Sequence, residues 1–357
     1  MSVNQQSASE ASIGSMIDVL LTQTSLSFSQ SQQLFDAIMQ GKVNDIELAA
    51  ILVALKIKGE VSDEIAGAAA SMRANAIPFI THLTNLVDSC GTGGDGSNTI
   101  NISTTAAIVA AACGINMVKH GNRSVSSNSG SADLLKALGI NIDMNPAHAA
   151  QCLEQTGFTF LFAPHYHSGV RHAMGVRTTL KNRTIFNILG PLANPAAPDV
   201  QLLGVYDESL CLAMAHTLKT LGTPRAMVVH GSGTDEIALH GETTVAELNN
   251  GKISQYTLTP ADFGLANYSL EQLAGEGPEY NAKASMAILA GNGTDAHNAA
   301  IIVNVAALLY LTNKADDFKS AAMQVKEVLQ SGRALNTLNA IVISSNKEYA
   351  NSEVSNG

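Results

Sequence analysis

At 357 residues, with 46% hydrophobic and 14% charged side chains, the chain can bury a large core over two domains and lies far from the composition of a disordered segment. Thirty acids against twenty bases give a formal charge of -10, so a duplex-binding surface would have to work against the field of the whole molecule. The most apolar run, Ala299 to Leu311, is interrupted by Asn304 and falls short of a membrane span, and the polar opening Met1 to Ser12 lacks the basic start and apolar centre of a secretory signal.

Residues 1–12 read as a loose tail. Helices are predicted over Ser29 to Gln40, Asn44 to Lys58 and Ser62 to Arg73. The second opens with a capping box, Asn44 and Glu47, and the third with Asp63 and Glu64 where the helix dipole favours acids. Ile46, Ala49, Ala50, Val53 and Ile57 recur at the spacing of a core-facing stripe. This opening forms a small helical domain over 1–82, completed by about 166–198, where Tyr166 to Pro198 interrupts the pattern that follows.

From Leu83 the sequence alternates strand, loop and helix. The predicted fold class is α/β, a small helical domain plus a larger domain over 83–165 and 199–345 with a mostly parallel central sheet; residues 346–357 read as a mobile tail. Strand-like Leu83 to Val87 runs through Asp88-Ser89-Cys90-Gly91-Thr92-Gly93-Gly94-Asp95-Gly96 into a helix, Ser103 to Cys113, with Ser103 as N-cap. Four glycines in six residues let a phosphate approach the main chain, and the helix start aims free N–H groups at it. A dinucleotide fingerprint is disfavoured because the next acid after Asp95 is Asp133, too far on to hold a ribose.

A second polar loop, Lys119 to Ser131, follows Met117-Val118 and offers two cations, an amide and several serines ahead of another helix. A third, Gly231-Ser232-Gly233-Thr234-Asp235-Glu236, places two carboxylates beside the same strand ends. Neighbouring acids are ordinarily just solvated, but beside an anion site they repel it unless a cation lies between, so Asp235 and Glu236 are candidate magnesium ligands, with the Ser103 hydroxyl a possible third. Arg177 and Arg183 are candidate carboxylate forks, with a structural salt bridge or helix cap as the alternative. His165, His167 and His172 do not share one helix face, which argues against a metal site. Cys90, Cys113, Cys152 and Cys211 form no C-x-x-C pair, as expected for reduced thiols in a cytoplasmic protein.

Gly91-Thr92-Gly93-Gly94-Asp95, Asn101-Ile102-Ser103-Thr104, Lys119-His120-Gly121-Asn122-Arg123, Arg183-Thr184-Ile185-Phe186-Asn187, Gly190-Pro191-Leu192-Ala193-Asn194-Pro195 and Asp235-Glu236-Ile237 together resemble the anthranilate phosphoribosyltransferase family, in order from about Leu34 to Leu338. The resemblance implies a homodimer assembled through the helical part, and transfer of phosphoribose from 5-phospho-α-D-ribose 1-diphosphate (PRPP) to the amine of anthranilate in tryptophan biosynthesis, with release of pyrophosphate. It implies that Gly91, Gly94, Asp95, Thr99, Asn101, Ile102, Ser103, Thr104, Lys119, His120, Gly121, Asn122, Arg123, Ser124, Val125, Ser126, Ser127 and Ser131 hold the donor. Gly91, Asn122 and Arg177 would contact anthranilate, and Ser103, Asp235 and Glu236 would bind magnesium, two ions accompanying the diphosphate. The chain departs from the family pattern at Ser168-Gly169-Val170 and Lys181-Asn182, near the implied acceptor channel.

No acid–base pair is implied, because an aromatic amine can attack C1 directly and the protein's task is to stabilise the leaving diphosphate and align the substrates. Two alternatives remain: a pyrimidine nucleoside phosphorylase-like enzyme, against which the Lys119 to Arg123 motif and Asp235-Glu236 speak, and a non-catalytic nucleic-acid-binding relative, against which the acidity speaks. No membrane or nucleic-acid partner is expected.

Overall fold

Side chains that satisfy orphan N–H groups start the first helices: Ser27 accepts from the N–H of Gln30, and Asn44 from those of Ile46 and Glu47. The computed structural model describes residues 12–123 and 128–347. The terminal tails, beyond these limits, and four predicted donor contacts, Ser124, Val125, Ser126 and Ser127, lie outside the described residues.

In chain order the elements are α1 (Ile13–Leu21), α2 (Phe28–Met39), α3 (Asp45–Lys58), α4 (Ser62–Ala74), β1 (Leu86–Gly91), α5 (Ile102–Ala112), β2 (Asn116–Gly121), α6 (Ser131–Ala137), α7 (Pro146–Thr156) and β3 (Phe158–Phe162). There follow α8 (Ala163–Tyr166), α9 (Arg171–Leu180), α10 (Phe186–Leu189), β4 (Val200–Gly204), α11 (Leu210–Thr220), β5 (Arg225–Gly231), β6 (Thr243–Asn249) and β7 (Lys252–Leu258). Four helices complete the chain: α12 (Pro278–Leu289), α13 (Asp295–Leu311), α14 (Phe318–Gln330) and α15 (Arg333–Ser345). No helix among the described residues is long and apolar enough to cross a membrane.

The chain divides into two compact units, one of Met1–Asn75 with Ser168–Leu189, the other of Ala76–His167 with Gly190–Gly357. These limits differ from the expected 82, 166 and 198, and hydrogen bonds show why. Ile77 N–H donates to Tyr166 O at 2.9 Å, while Asn194 Nδ2 donates to Asp88 Oδ2 at 2.9 Å and Val118 O at 2.8 Å, so both flanking segments are tied into the second unit.

In the helical unit α4 lies against α2, where Gly67 allows close approach: a Cβ there would strike the carbonyl of Phe28 and sit 2.8 Å from Gln32 N. Glu64 does more than favour the helix dipole. Fully buried, it accepts from Leu26 N–H (2.9 Å), Val61 N–H (3.0 Å) and Lys58 Nζ (2.8 Å). The stripe predicted for α3 faces the other way, since Leu48, Ile51, Leu52 and Leu55 are buried whereas Ile46 and Ile57 are 84% and 73% exposed. Helix α3 is apolar on both sides, so periodicity identified the helix but could not choose its core face.

The second unit is built on one seven-stranded sheet of order β3-β2-β1-β4-β5-β6-β7. Strands β1 to β5 run parallel, and β6 and β7 add an antiparallel hairpin at one edge. The parallel strands read as uninterrupted buried runs, as for sheets covered on both faces; Phe158–Phe162 and Val200–Gly204 are buried throughout. Helix α13, buried along nearly its whole length, is central to the core on one side. Chain order reverses at β1, with β2 on one side and β4 on the other, and such a switch point opens a crevice beyond the carboxyl ends of the strands.

Candidate active site

The glycine loop leaves β1 at Gly91, later than predicted, because the strand occupies Leu86–Gly91 instead of ending at Val87. Thr92 N–H donates to Gly204 O at 3.0 Å, and Thr92 Oγ1 accepts from Tyr206 N–H at 3.1 Å, which pins the loop to the end of β4. Gly93 and Gly94 then adopt φ of +68° and +78°, values that side-chain-bearing residues resist. Asp95 folds back onto the loop, accepting from Ser97 N–H (3.1 Å) and Ser97 Oγ (2.7 Å). The following helix is capped two residues earlier than predicted: Asn101, not Ser103, occupies the N-cap position, and Ser103 lies in the first turn.

Three loops meet here. Asn101 Nδ2 donates to Ser129 O at 2.9 Å, joining the first loop to the second. Gly93 N–H donates to Asp235 Oδ2 at 2.6 Å, Asp235 N–H donates to Asp95 Oδ2 at 3.4 Å, and Ser103 N–H donates to Glu236 Oε1 at 3.2 Å, joining the first loop to the third. In the second loop Asn122 Oδ1 accepts from Arg123 N–H at 2.7 Å, Ser131 Oγ donates to Asn122 O at 3.3 Å, and the Arg123 guanidinium lies 5.8 Å from the centre of the Phe162 ring. A Cβ on Gly121 would meet the Ser131 hydroxyl and sit 2.9 Å from the Phe160 ring, so glycine lets these side chains pack closely against the turn.

Several predicted contacts turn inward. Ile102 and Thr104 have buried side chains, and the Ile102 N–H is engaged with Ile100 O at 2.7 Å. His120 Nδ1 pairs with Gly190 O at 3.2 Å, and its ring meets that of His167 edge-on at 5.1 Å. Lys119, 2% exposed, donates from Nζ to Ser89 O at 2.6 Å under the end of β1. Its charge opposes the burial that raises the pKa of Asp88, and it likewise favours the ionised form of Glu236. Arg177 belongs to the helical unit, half-buried in α9, with its guanidinium 5.0 Å from the centre of the Phe186 ring. Burial works against its charge, which an anionic ligand would relieve.

Asp235 and Glu236 are electrostatically frustrated. Burial, then the charge of Asp95, pushes the Asp235 pKa up to about 6. Burial and then the charge of Asp235 hold Glu236 well above the carboxylate range. Crowded carboxylates fit a hard divalent cation, which would remove both penalties. Among the described residues no three His, Cys, Asp or Glu side chains form a ready cage. Magnesium is usually held by one or two carboxylates completed by substrate phosphates and water, so this donor set fits it. The four cysteines are free, and burial followed by the charge of Asp88 keeps Cys90, beside the loop, in its thiol form.

Other residues that complete the site escaped sequence reasoning. Gly204 lies where a Cβ would overlap the carbonyl of Asp235. The strap Leu273 to Gly275 closes over the loop's end: Ile100 N–H donates to Leu273 O at 3.0 Å, Gly275 N–H to Asn98 O at 2.7 Å, and Thr99 bridges Ala274. Asn281 Nδ2 donates to Asn101 Oδ1 at 2.8 Å. Such contacts join positions up to 180 residues apart and leave no local pattern.

Comparison with known proteins agrees with this geometry. Residues 14–76 match the helical bundle domain of the Glycosyl transferase family, and residues 83–335 match its a/b domain. The anthranilate phosphoribosyltransferase of Pseudoalteromonas translucida is 75% identical over 336 residues, 94% of this chain and 95% of that protein. That of Photobacterium profundum is 55% identical, covering 93% of this chain and 98% of the relative. Among solved structures, the Thermus thermophilus anthranilate phosphoribosyltransferase superposes with a TM-score of 0.89 at 40% identity, covering 93% of this chain and 99% of that one. The Saccharomyces cerevisiae enzyme in complex with PRPP and Mg superposes with a TM-score of 0.86 at 29% identity, covering 94% of this chain and 98% of that one. With the helical and α/β domains both matched and relatives of such identity along nearly the whole chain, the protein belongs to the anthranilate phosphoribosyltransferase family.

Proposed function

We propose that the protein transfers the phosphoribosyl group of PRPP to the amine of anthranilate, releasing pyrophosphate and giving N-(5-phosphoribosyl)anthranilate for tryptophan biosynthesis. The observation that carries this reading is the convergence of the glycine loop, the Asn101-to-Ser103 helix start and Asp235-Glu236, in a chain 75% identical to a named anthranilate phosphoribosyltransferase. On it, the N–H groups of the glycine loop and of the first turn of α5 take phosphate oxygens of the donor, and Asn122 and Arg123 bound the same cleft. Arg177 takes the anthranilate carboxylate as a fork.

Attack by the amine needs no general base, since its lone pair is free. The barrier lies in departure of pyrophosphate from an oxocarbenium-like C1, so the residues serve to hold the reactants in line and to stabilise the charge that grows on the leaving group. Lys119 contributes positive potential from beneath the loop. Magnesium, held by Asp235 and Glu236 with the Ser103 hydroxyl, would neutralise the diphosphate. Two ions accompany the donor on this reading. The exposed Ile46, Val53 and Ile57 of α3 support a homodimer formed through helical units, and the unpaired thiols fit a cytoplasmic setting.

The test is anthranilate fluorescence in the presence of PRPP and magnesium. Consumption that requires both is the expected result, and no consumption with both present would overturn the reading. Phosphorolysis of pyrimidine nucleosides in its place would favour the phosphorylase alternative.

A further inference from the structure

Asp235 and Glu236 do not merely stand near the phosphate-binding groups; each carboxylate occupies one of them. Asp235 Oδ2 accepts from Gly93 N–H at 2.6 Å and lies over Gly91, where a Cβ would strike it. Glu236 Oε1 accepts from Ser103 N–H at 3.2 Å, in the first turn of α5. A loop amide and a helix N-terminus are the two kinds of donor that suit a diphosphate, and here both carry protein carboxylates. The fit is reciprocal, because Asp235 N–H donates back to Asp95 Oδ2 at 3.4 Å, while Asp95 is held within the loop by Ser97. Gly204 and Gly91 provide the space in which the Asp235 backbone and carboxylate lie.

We propose that Asp235 and Glu236 act as internal placeholders for the diphosphate, filling Gly93 N–H and Ser103 N–H until a divalent cation draws the carboxylates away. This inference rests on the phosphoribosyltransferase reading and adds to it an explanation of how metal and donor are coupled. The carboxylates then have two roles: they collect the cation, and they keep the cradle closed to anions that arrive without one. Because they compete with the diphosphate for the same N–H groups, metal-free anion binding is suppressed by occupancy of those donors as well as by charge.

Occupancy and charge can be separated by substitution. Asp235→Asn removes the charge but keeps an oxygen able to accept from Gly93 N–H, whereas Asp235→Ala removes both. Inorganic pyrophosphate is titrated calorimetrically into each purified protein, with chelator and with magnesium. The placeholder predicts metal-free pyrophosphate binding up to roughly tenfold tighter in Asp235→Ala than in Asp235→Asn, the worth of about one neutral hydrogen bond, with faster amide exchange at Gly93 in the alanine variant. Equal metal-free affinities in the two variants would overturn it, leaving electrostatics alone. If Asp235→Ala fails to fold, Glu236→Ala against Glu236→Gln makes the same comparison at Ser103 N–H. Failure of the unaltered protein to bind pyrophosphate even with magnesium would count against the functional reading itself, a result distinguishable from equality of the variants.

Discussion

Gly204 provides a sharp test of how the third loop is seated. It ends β4, pairs in register with Gly91 of β1, and its carbonyl accepts from Thr92 N–H at 3.0 Å. In Gly204→Ala the new Cβ would fall inside the van der Waals envelope of the Asp235 carbonyl and 3.2 Å from Asp235 Cα. Ordinary carbon contacts are about 3.5–4.0 Å, so the loop must retreat by roughly 1 Å or more. A backbone group cannot rotate aside as a side chain can, and overpacking of this kind costs about 1–3 kcal/mol. Against a total stability of about 5–15 kcal/mol the fold survives. The position of Asp235 does not, and a misplacement of about 1 Å lowers rate on the order of a hundredfold. The variant should keep a cooperative thermal transition while kcat/KM falls and the magnesium-dependent part of PRPP binding, read by calorimetry, weakens. As a control, Gly14→Ala in α1, whose Cβ meets only the Ser12 hydroxyl at 4.0 Å, should change neither. Full activity and unchanged metal-dependent binding in Gly204→Ala would refute the reasoning.

Arg177→Ala should raise the anthranilate KM by an amount equivalent to roughly 2–4 kcal/mol with little change for PRPP, as steady-state kinetics can show; an unchanged anthranilate KM would remove Arg177 from the acceptor site. Glu64→Ala leaves Lys58 and the N–H groups of Leu26 and Val61 without their buried acceptor, so unfolding should lose about 3 kcal/mol or more, and a loss under about 1 kcal/mol would contradict that role. With its pKa raised to about 6, Asp235 binds a proton below that pH, and a cation must then displace it. Magnesium affinity should therefore hold above about pH 6 and fall by up to tenfold per pH unit below it. In the metal-free protein the folded state takes up this proton more readily than the unfolded chain, so this group's contribution to stability should rise as pH falls from about 7 to about 5; the opposite slopes would argue against a crowded Asp235.

Much of the site could be read in the sequence because strand-end loops declare themselves. Glycines, hydroxyls and amides between an apolar run and a helix start suit an anion, and two such loops with Asp235-Glu236 at neighbouring strand ends pointed to one candidate site, so the convergence of the loops was legible although Ile102 and Thr104 turn inward. The parallel core was legible for a similar reason, since buried strands such as Phe158–Phe162 are apolar at every position but Thr159. The antiparallel hairpin was missed although it carries a signal: Asn250-Gly251, with φ of +47° and +81°, is a preferred tight-turn pair between β6 and β7. Helix α1, capped by Ser12 at the end of the expected tail, was missed as well.

Which way a side chain turns was harder to read. Lys119 appears in the sequence as a cation in a polar loop, yet its ammonium lies beneath β1 against Ser89 O, because β2 runs beside β1 and alternate residues of a strand face opposite sides of the sheet. The face of α3 could not be assigned for want of a polar side to exclude. Gly204, Asn281 and the Leu273 to Gly275 strap are defined only by residues that meet them in space, so no spacing along the chain marks them.

The most direct measurement of the central claim, that the glycine loop and Asp235-Glu236 form one metal-dependent diphosphate site, is calorimetric titration of PRPP with and without magnesium, in the unaltered protein and in Asp235→Ala/Glu236→Ala. Magnesium should tighten PRPP binding in the unaltered protein and lose that effect in the double variant. An equal magnesium enhancement in both proteins would contradict the claim.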